Sequence, residues 1–120
     1  MLGAFAGDII GSIYEFNNIK TKDFPLFSNS CFATDDSIMT AAVSNALITY
    51  LRSDKTTDVH ILLAKEMRRL GNLFPNGGYG GSFHQWLKNP QWGPYNSYGN
   101  GSAMRVSSAG WLGNSIEEVT

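Results

Sequence analysis

The sequence predicts an all-α fold, and three observations lead to this prediction. Apolar residues recur at intervals of three and four along several stretches of the 120-residue chain, which is the spacing of helices. Capping residues, glycines and prolines stand where these stretches begin and end. No stretch alternates strictly between apolar and polar residues, so we expect no β-strand. The length fits one small domain, and no internal repeat divides it.

The first predicted helix covers residues 2–16. Gly3, Gly7 and Gly11 follow one another at intervals of four and form a stripe of small residues. Such a stripe allows another element to approach closely. Because each glycine in a helix costs about 1 kcal/mol relative to alanine, tight packing or a function must compensate for all three.

Four further helices are predicted, and they cover residues 37–51, 57–70, 82–88 and 101–112. We expect the helix over 57–70 to stop at Gly71, because glycine is common just past a helix end. The helix over 82–88 should end at Asn89, since the residue before a proline disfavours helical geometry.

A last helix is predicted close to the end of the chain. Ser115 and Glu118 have the spacing of a capping box, in which the two side chains bond the first backbone amides of a helix. Only two residues follow Glu118, and a helix so short has no stability of its own. We therefore expect this chain to be the N-terminal part of something longer.

The composition argues against several classes of protein. Charged residues make up 16% of the chain, against about 25% in typical soluble domains, while apolar residues make up 42%. Disordered chains combine low hydrophobicity with high net charge, which does not describe a chain of net charge −1. No apolar stretch approaches the ~18 residues of a membrane span, and the balanced charge does not favour nucleic-acid or membrane-surface binding.

Two features bear on the cellular compartment. Cys31 is the only cysteine, so no internal disulfide is possible and nothing indicates an oxidising compartment. No basic segment precedes the first apolar residues, as it does in a signal peptide. We expect a cytoplasmic protein.

The segment between Leu70 and Met104 is nearly free of formal charge. Lys88 is its only charged residue, although the segment holds 8 of the 13 glycines and 7 of the 15 aromatic residues. Flexible linkers are usually rich in serine, proline or charge. We interpret this segment as irregular backbone packed closely around another group, with glycine allowing the close approach.

Thr34, Asp35 and Asp36 stand at the start of the helix predicted over 37–51. A hydroxyl and two carboxylates are hard oxygen donors, which suit Mg²⁺, Mn²⁺ or Ca²⁺ better than Zn²⁺. Two adjacent carboxylates are costly unless a cation or a helix N-terminus compensates their charge. The triplet therefore indicates either part of a metal site or a helix cap followed by first-turn acids.

Asp8 and Glu15 lie seven residues apart, nearly on one face of the first predicted helix. The neighbours of Asp8 are small or apolar, and buried acids are rare unless they are paired or coordinate a cation. The two acids are therefore either partners in a site or the solvated side of an amphipathic helix.

Two glycine-rich loops, residues 76–82 and 97–102, each lead into a predicted helix. Such loops direct backbone amides at an anion such as a phosphate, and the rings of Tyr79 and Tyr98 are able to stack on a flat ligand. Neither loop has the pattern of a dinucleotide-binding or Gly-Lys-Ser/Thr phosphate site. Ordinary turns are the alternative, but two similar loops in one charge-poor segment favour a pyrophosphate-type ligand.

Three isolated polar residues carry weaker signals. His60 lies in an amphipathic helix and is interpreted as a surface residue. His84 follows the first glycine loop and is a candidate for ribose or phosphate contact. Arg105, the sole cation near the second loop, is either an anion partner or half of a helix ion pair. One cysteine and two histidines form no zinc site.

Five segments in a fixed order carry a resemblance to a known family. They are residues 3–12, 14–16, 34–40, 78–83 and 98–106. Each is weak alone, but their order and spacing along nearly the whole chain resemble the ADP-ribosylglycohydrolase family. The resemblance implies an all-α domain with two Mg²⁺ ions in a cleft. It also implies hydrolysis of the glycosidic bond that joins C1″ of ADP-ribose to a protein side chain or another leaving group.

The resemblance also implies roles for individual residues. Thr34, Asp35 and Asp36 match the family's first metal motif, with Asp36 or its neighbour as general base. Glu15 matches a glutamate that lies on a mobile flap at the metal site in some members. The positions that match ligand contacts are Gly80, Gly81 and Ser82 in the first loop, and Ser97, Tyr98, Gly99, Asn100 and Gly101 in the second.

One part of the family pattern is missing from residues 1–120. The family carries a second metal motif, Asp-x-Asp followed by Thr or Ser, in a longer chain. Half of the expected metal ligands are therefore absent, so we expect an incomplete domain that is inactive alone and is either complemented by a separate C-terminal chain or the product of a truncated gene. An exposed half-core would be a large apolar patch, so we also expect self-association. The alternatives are a non-catalytic ADP-ribose-binding module and a structural protein similar to the family's crystallins.

Overall fold

A computed structural model describes residues 1–119, which form helices and loops with no β-strand among them. The α-helices are α1 (Leu2–Gly11), α2 (Asp35–Arg52), α3 (Val59–Leu73), α4 (Gly81–Lys88), α5 (Gly101–Met104) and α6 (Ile116–Val119). Two 3₁₀ helices cover Ser12–Tyr14 and Val106–Trp111. The all-α prediction is confirmed for the described residues.

The longest helix, α2, forms the centre of the fold. It packs against α1, α3 and the 3₁₀ helix Val106–Trp111. Met39, Ala42 and Ala46 are fully buried along it. Small side chains at this centre allow the neighbouring helices to come close, and Asp35 and Asp36 in the first turn favour its N-terminus electrostatically.

The first helix is shorter than predicted and its glycine stripe is uncovered. It ends at Gly11, and the chain continues in the 3₁₀ helix Ser12–Tyr14. A Cβ atom added at Gly3, Gly7 or Gly11 would meet nothing within 4 Å. Of the two compensations expected for these glycines, tight packing is not found among the described residues, whereas Gly7 and Gly11 line a cleft.

The helix predicted to stop at Gly71 continues to Leu73 as α3. A Cβ atom at Gly71 would lie 2.6 Å from the side chain of Leu87 on α4. Gly71 is therefore needed for the close packing of α3 against α4, and the stop expected there was wrong. Asp58 caps the start of α3, because its carboxylate accepts a hydrogen bond from the His60 amide at 2.8 Å.

The helix predicted over 101–112 is divided. Its first four residues form α5, and the 3₁₀ helix Val106–Trp111 follows after Arg105, whose φ of −104° and ψ of 1° leave the α region. Serine and glycine are weak helix formers, and they are frequent after this residue. The helix predicted after Ser115 is present as α6, while the side chain of Glu118 lies outside the described part of the chain.

The chain exposes more surface than a folded protein of its mass usually does. Its accessible surface is 8562 Å², whereas about 6,400 Å² is typical for 13.2 kDa. Its radius of gyration is 15.6 Å, against about 13.6 Å for a compact domain of this length. Large apolar side chains contribute to the difference, among them Phe16 at 88% exposure and Trp111 at 77%.

No helix within residues 1–119 combines the length and the apolar character that crossing a bilayer requires.

Candidate functional site

An open cleft of about 1130 Å³ gathers most of the residues predicted for function. Its walls come from α1, the first turn of α2, one side of α3, the first glycine loop, α4 and parts of the segment from Trp92 to Arg105. Residues far apart in the sequence therefore meet in one place. Two groups of side chains in the cleft differ in chemistry, and we call these groups the acid end and the arginine end.

The acid end contains Asp8, Glu15, Thr34, Asp35 and Asp36, all of which line the cleft. Two helices and a loop bring these residues together: Asp8 lies in α1, Glu15 follows the 3₁₀ helix Ser12–Tyr14, and the other three open α2. The structure thus brings together all the residues that were predicted to bind metal or to act as acid or base.

Asp8 organises the start of α2. Its carboxylate accepts hydrogen bonds from the Thr34 amide at 2.9 Å, from the Ser37 amide at 3.1 Å and from the Thr34 hydroxyl. Thr34 occupies the N-cap position, but its own side chain makes no cap hydrogen bond. An acid on α1 therefore satisfies amides at the N-terminus of α2, which shows that Asp8 is not simply a solvated side chain.

The carboxylates of the acid end destabilise one another. Burial raises the pKa of Asp35 to about 6, and the negative charges of Asp36, Glu15 and Asp8 add to the rise, while a backbone hydrogen bond opposes it. Burial, and then the charge of Asp8, also raise the pKa of Asp36. No described cation forms an ion pair with these carboxylates, so a bound cation would relieve their repulsion.

The acid end fits a magnesium ion in the chemistry of its donors but not in their number. Carboxylate and hydroxyl oxygens are suitable donors for Mg²⁺, which takes six ligands in octahedral geometry and often keeps several waters. Among the described residues, no three acidic, histidine or cysteine side chains converge closely enough to hold a metal ion. Thr34, Asp35 and Asp36 would therefore supply only part of a metal site.

The conformation of the first glycine loop requires glycine at two positions. Gly78 has a φ of 92°, which favours glycine, and a Cβ atom at Gly77 would lie 2.7 Å from Ile38 Cδ1. The Tyr79 hydroxyl donates to the Phe74 carbonyl at 2.9 Å. This tyrosine is therefore engaged by the protein itself, and burial raises its pKa to about 12, with a contribution from the charge of Asp35.

The two loops contribute unequally to the cleft. Of the predicted ligand contacts, the following line it: Gly80, Ser97, Gly99, Asn100 and Gly101. Gly81, Ser82 and Tyr98 are not among the lining residues, and the Tyr98 side chain is fully exposed. The Ser97 hydroxyl accepts a hydrogen bond from the Gly99 amide at 3.2 Å, which closes a tight local turn.

The arginine end consists of Arg68, Phe83, Trp86 and Arg105. Of these four residues, only Arg105 was considered in the sequence analysis, as a possible anion partner. The Phe83 and Trp86 rings stack with their centroids 5.5 Å apart and an interplanar angle of 12°. The guanidinium carbon of Arg68 lies 3.9 Å from the centre of the Trp86 ring, and that of Arg105 lies 5.2 Å from the centre of the Phe83 ring.

Only a small part of the arginine end was detectable in the sequence. The spacing of Phe83 and Trp86, three apart on α4, places the rings on one face of a helix. The approach of Arg68 from α3 and of Arg105 from beyond α5 has no local signal, because both arginines come from elements distant in sequence.

The structure agrees with the prediction for His60 but does not support that for His84. His60, interpreted as a surface residue, is exposed and also lines the cleft. His84, the candidate for ribose or phosphate contact, is not among the lining residues.

Comparison with known proteins places the chain in a family. The family model described as ADP-ribosylglycohydrolase matches residues 1–120, the full length of the sequence, and the chain therefore belongs to this family. Searches of curated proteins and of solved structures found no match.

Proposed function

We propose that this member of the ADP-ribosylglycohydrolase family binds ADP-ribose in the cleft and takes part in Mg²⁺-dependent hydrolysis of an ADP-ribosyl glycosidic bond. The observation that carries the proposal is the cleft itself, whose walls hold clustered carboxylates, residues of both glycine loops and an arginine. The leaving group is a protein side chain or another group attached to C1″ of the ribose.

The two ends suit the two ends of the ligand. A cleft of about 1130 Å³ is at the upper limit of typical small-molecule sites, so it has room for a nucleotide sugar. Gly80, Gly99 and Gly101 present backbone without a side chain in the way, which allows close approach of the diphosphate. The reacting ribose then lies at the acid end.

The acid end carries the chemistry of bond cleavage. Thr34, Asp35 and Asp36 would hold the Mg²⁺, and the chemistry that the bound ion supplies is water activation and stabilisation of the charge that develops. Asp36 accepts a proton from the attacking water, whose oxygen bonds to C1″ while the bond from C1″ to the leaving group breaks. Glu15 lies exposed at the same end, where it would be able to reach the bound ribose from the rim of the cleft.

In this proposal the site is completed by groups that the described residues do not contribute. The described residues do not supply a full set of metal ligands, and the accessible surface exceeds that of a typical monomer by about 2,100 Å². A standard protein interface covers about 800 Å² on each partner, so the excess is ample for one. The occupant is a complementing C-terminal chain or a second copy of this one. For a second copy, light scattering should give a dimer mass, and a monodisperse monomer would contradict it.

The second candidate function is a non-catalytic ADP-ribose-binding module. The observation that favours it is the incomplete metal site among the described residues, beside a cleft that still contains both glycine loops.

Cytoplasmic location stays a prediction from the sequence.

Calorimetric titration with ADP-ribose, in MgCl₂ and in EDTA, tests the proposal. Binding that strengthens with Mg²⁺ and is lost in Asp36→Asn supports a hydrolase half-site, and release of ADP-ribose from an ADP-ribosylated protein would establish the reaction. Binding that is the same in both buffers favours the binding module. Absence of binding at millimolar ligand would refute both and leave a structural role. Asp23→Asn, an exposed acid away from the cleft, is the matched control.

A further inference from the structure

Two arginines of the cleft lie on stacked aromatic rings but differ in how their hydrogen-bond donors are used. Arg68 lies over Trp86, and Arg105 lies over Phe83. A guanidinium that stacks on a ring through its face keeps its in-plane N–H groups available for hydrogen bonds. The partners of those N–H groups therefore reveal what each arginine does.

The donors of Arg68 are directed at the protein. Its Nε donates to the Trp86 carbonyl at 3.4 Å, and its Nη2 donates to the carbonyls of Asn89 at 3.3 Å and Trp92 at 2.8 Å. The Trp86 ring nitrogen also donates to the Gly93 carbonyl at 3.1 Å. Arg68 and Trp86 thus hold the loop that follows α4, and Arg68 is a structural residue.

The donors of Arg105 have no such partners. Within the part of the chain that the structure describes, its guanidinium forms no hydrogen bond and no ion pair. Burial lowers the pKa of Arg105, while the nearby Tyr95 and Asp35 oppose this effect, and an arginine remains charged at neutral pH. A half-buried cation without a bound counter-ion is unfavourable, so an anionic ligand would stabilise it.

The position of Arg105 relates it to both glycine loops. Phe83, which supports its guanidinium, lies in α4 directly after the first loop. A Cβ atom added at Gly101, in the second loop, would lie 3.9 Å from Arg105 Nη1. The guanidinium therefore lies beside the cleft-lining backbone of the second loop and next to the helix that follows the first.

We propose that Arg105 binds the diphosphate of the ligand directly, through guanidinium N–H groups that no described residue uses. A guanidinium is planar and matches two phosphate oxygens at once, and the Phe83 ring, 5.2 Å from its carbon, is a cation–π partner that leaves its N–H groups unused. The inference deepens the proposed function and rests on it for the identity of the ligand. Binding of inorganic pyrophosphate, however, tests the arginine independently of ADP-ribose.

The experiment compares wild type with Arg105→Met, Arg105→Lys and Arg68→Met by calorimetry and thermal denaturation. The probes are inorganic pyrophosphate, ADP-ribose and adenosine. Arg105→Met should weaken the binding of pyrophosphate and of ADP-ribose by about 10- to 100-fold, because charge-assisted hydrogen bonds to phosphate are lost. Its adenosine affinity and melting temperature should stay close to those of wild type, and Arg105→Lys should lie between the two. Arg68→Met should instead lower the melting temperature and weaken adenosine and pyrophosphate alike.

Three results would overturn the inference. The first is wild-type affinity of Arg105→Met for pyrophosphate, and the second is a loss of stability and adenosine binding in Arg105→Met similar to that in Arg68→Met. The third is a wild-type protein that binds neither pyrophosphate nor ADP-ribose at millimolar concentration. If wild type binds pyrophosphate through Arg105 but does not bind ADP-ribose, the proposed function fails while the anion site stands.

Discussion

The acid end and the arginine end of the cleft are built in different ways. At the acid end, Thr34, Asp35 and Asp36 are consecutive, and one residue from α1, Asp8, holds them in place. At the arginine end, Phe83 and Trp86 come from one helix, but the contacts of the arginines join distant elements, as Arg68 does when it bonds carbonyls 18 to 24 positions away. The comparison shows that one cleft can combine a local motif, readable in sequence, with a long-range assembly that is not.

The two ends also differ in charge balance. The acid end holds carboxylates whose pKa values are raised by burial and by one another. The arginine end holds a guanidinium whose pKa burial lowers. Each end therefore has charge that a ligand group of opposite sign would stabilise.

The largest effect is expected from removing the residue that organises the acid end. Asp8→Ala deletes the acceptor for two backbone amides and a hydroxyl at the start of α2. We expect the free energy of unfolding to fall by about 2–4 kcal/mol, measured by urea denaturation. Asp23→Ala, an exposed acid, should change it by less than about 0.5 kcal/mol. Equal effects of the two variants would show that the acid end does not depend on this cap.

The next largest effect is expected from disturbing the packing of α3 against α4, the helix that contains Phe83 and Trp86 of the arginine end. Gly71→Ala places a Cβ atom 2.6 Å from Leu87, which displaces α4 and the rings of Phe83 and Trp86. We expect a loss of about 1–3 kcal/mol in urea denaturation, together with a change in tryptophan fluorescence. Gly3→Ala is the matched control, because a Cβ atom there meets nothing within 4 Å. It should stabilise the protein by up to about 1 kcal/mol, and a loss of stability there would mean that the glycine face of α1 is covered in solution.

A smaller effect on the free energy of unfolding is expected from removing the charge of Asp35 at the acid end. In EDTA, Asp35→Asn should raise the free energy of unfolding, because the raised pKa of Asp35 means that the fold disfavours its ionised form. Asp35 is partly exposed, so solvent screening limits the gain to about 1 kcal/mol. In MgCl₂ the sign should reverse, since wild type gains stability from the bound cation and the variant gains less. A melting temperature of wild type that is the same in both buffers would contradict a metal at this end.

Sequence patterns predicted the helices well where the pattern was long and failed where packing decided the outcome. The start of α2 at Asp35 and the bounds of α4 are close to the prediction. Gly71 was taken as a helix stop, because glycine is typical there, but its lack of a side chain serves the contact with Leu87 instead. The helix expected to continue past Arg105 changes to a 3₁₀ helix.

The predicted site shows the same contrast between features that local sequence predicts and features that packing decides. Thr34, Asp35 and Asp36, which were expected to bind metal, lie together because they are neighbours in sequence. Asp8 and Glu15 are distant from them in sequence, and their spacing along the first predicted helix indicated only that these two acids share a face. Gly81, Ser82 and Tyr98 belong to the predicted loops but do not line the cleft. Whether a loop residue faces a ligand depends on its backbone dihedral angles, and glycine-rich sequences leave these open.

The sequence by itself determined the all-α class, the acid motif, the glycine loops and the resemblance that the family match confirmed. Helical periodicity and contiguous motifs are local, so one sequence is enough to show them. Only the tertiary structure decided that Asp8 caps α2, that the donors of Arg68 are used while those of Arg105 are not, and that the stripe of Gly3, Gly7 and Gly11 is open. These features depend on hydrogen bonds and packing between distant segments, and no local pattern encodes which partner each group meets.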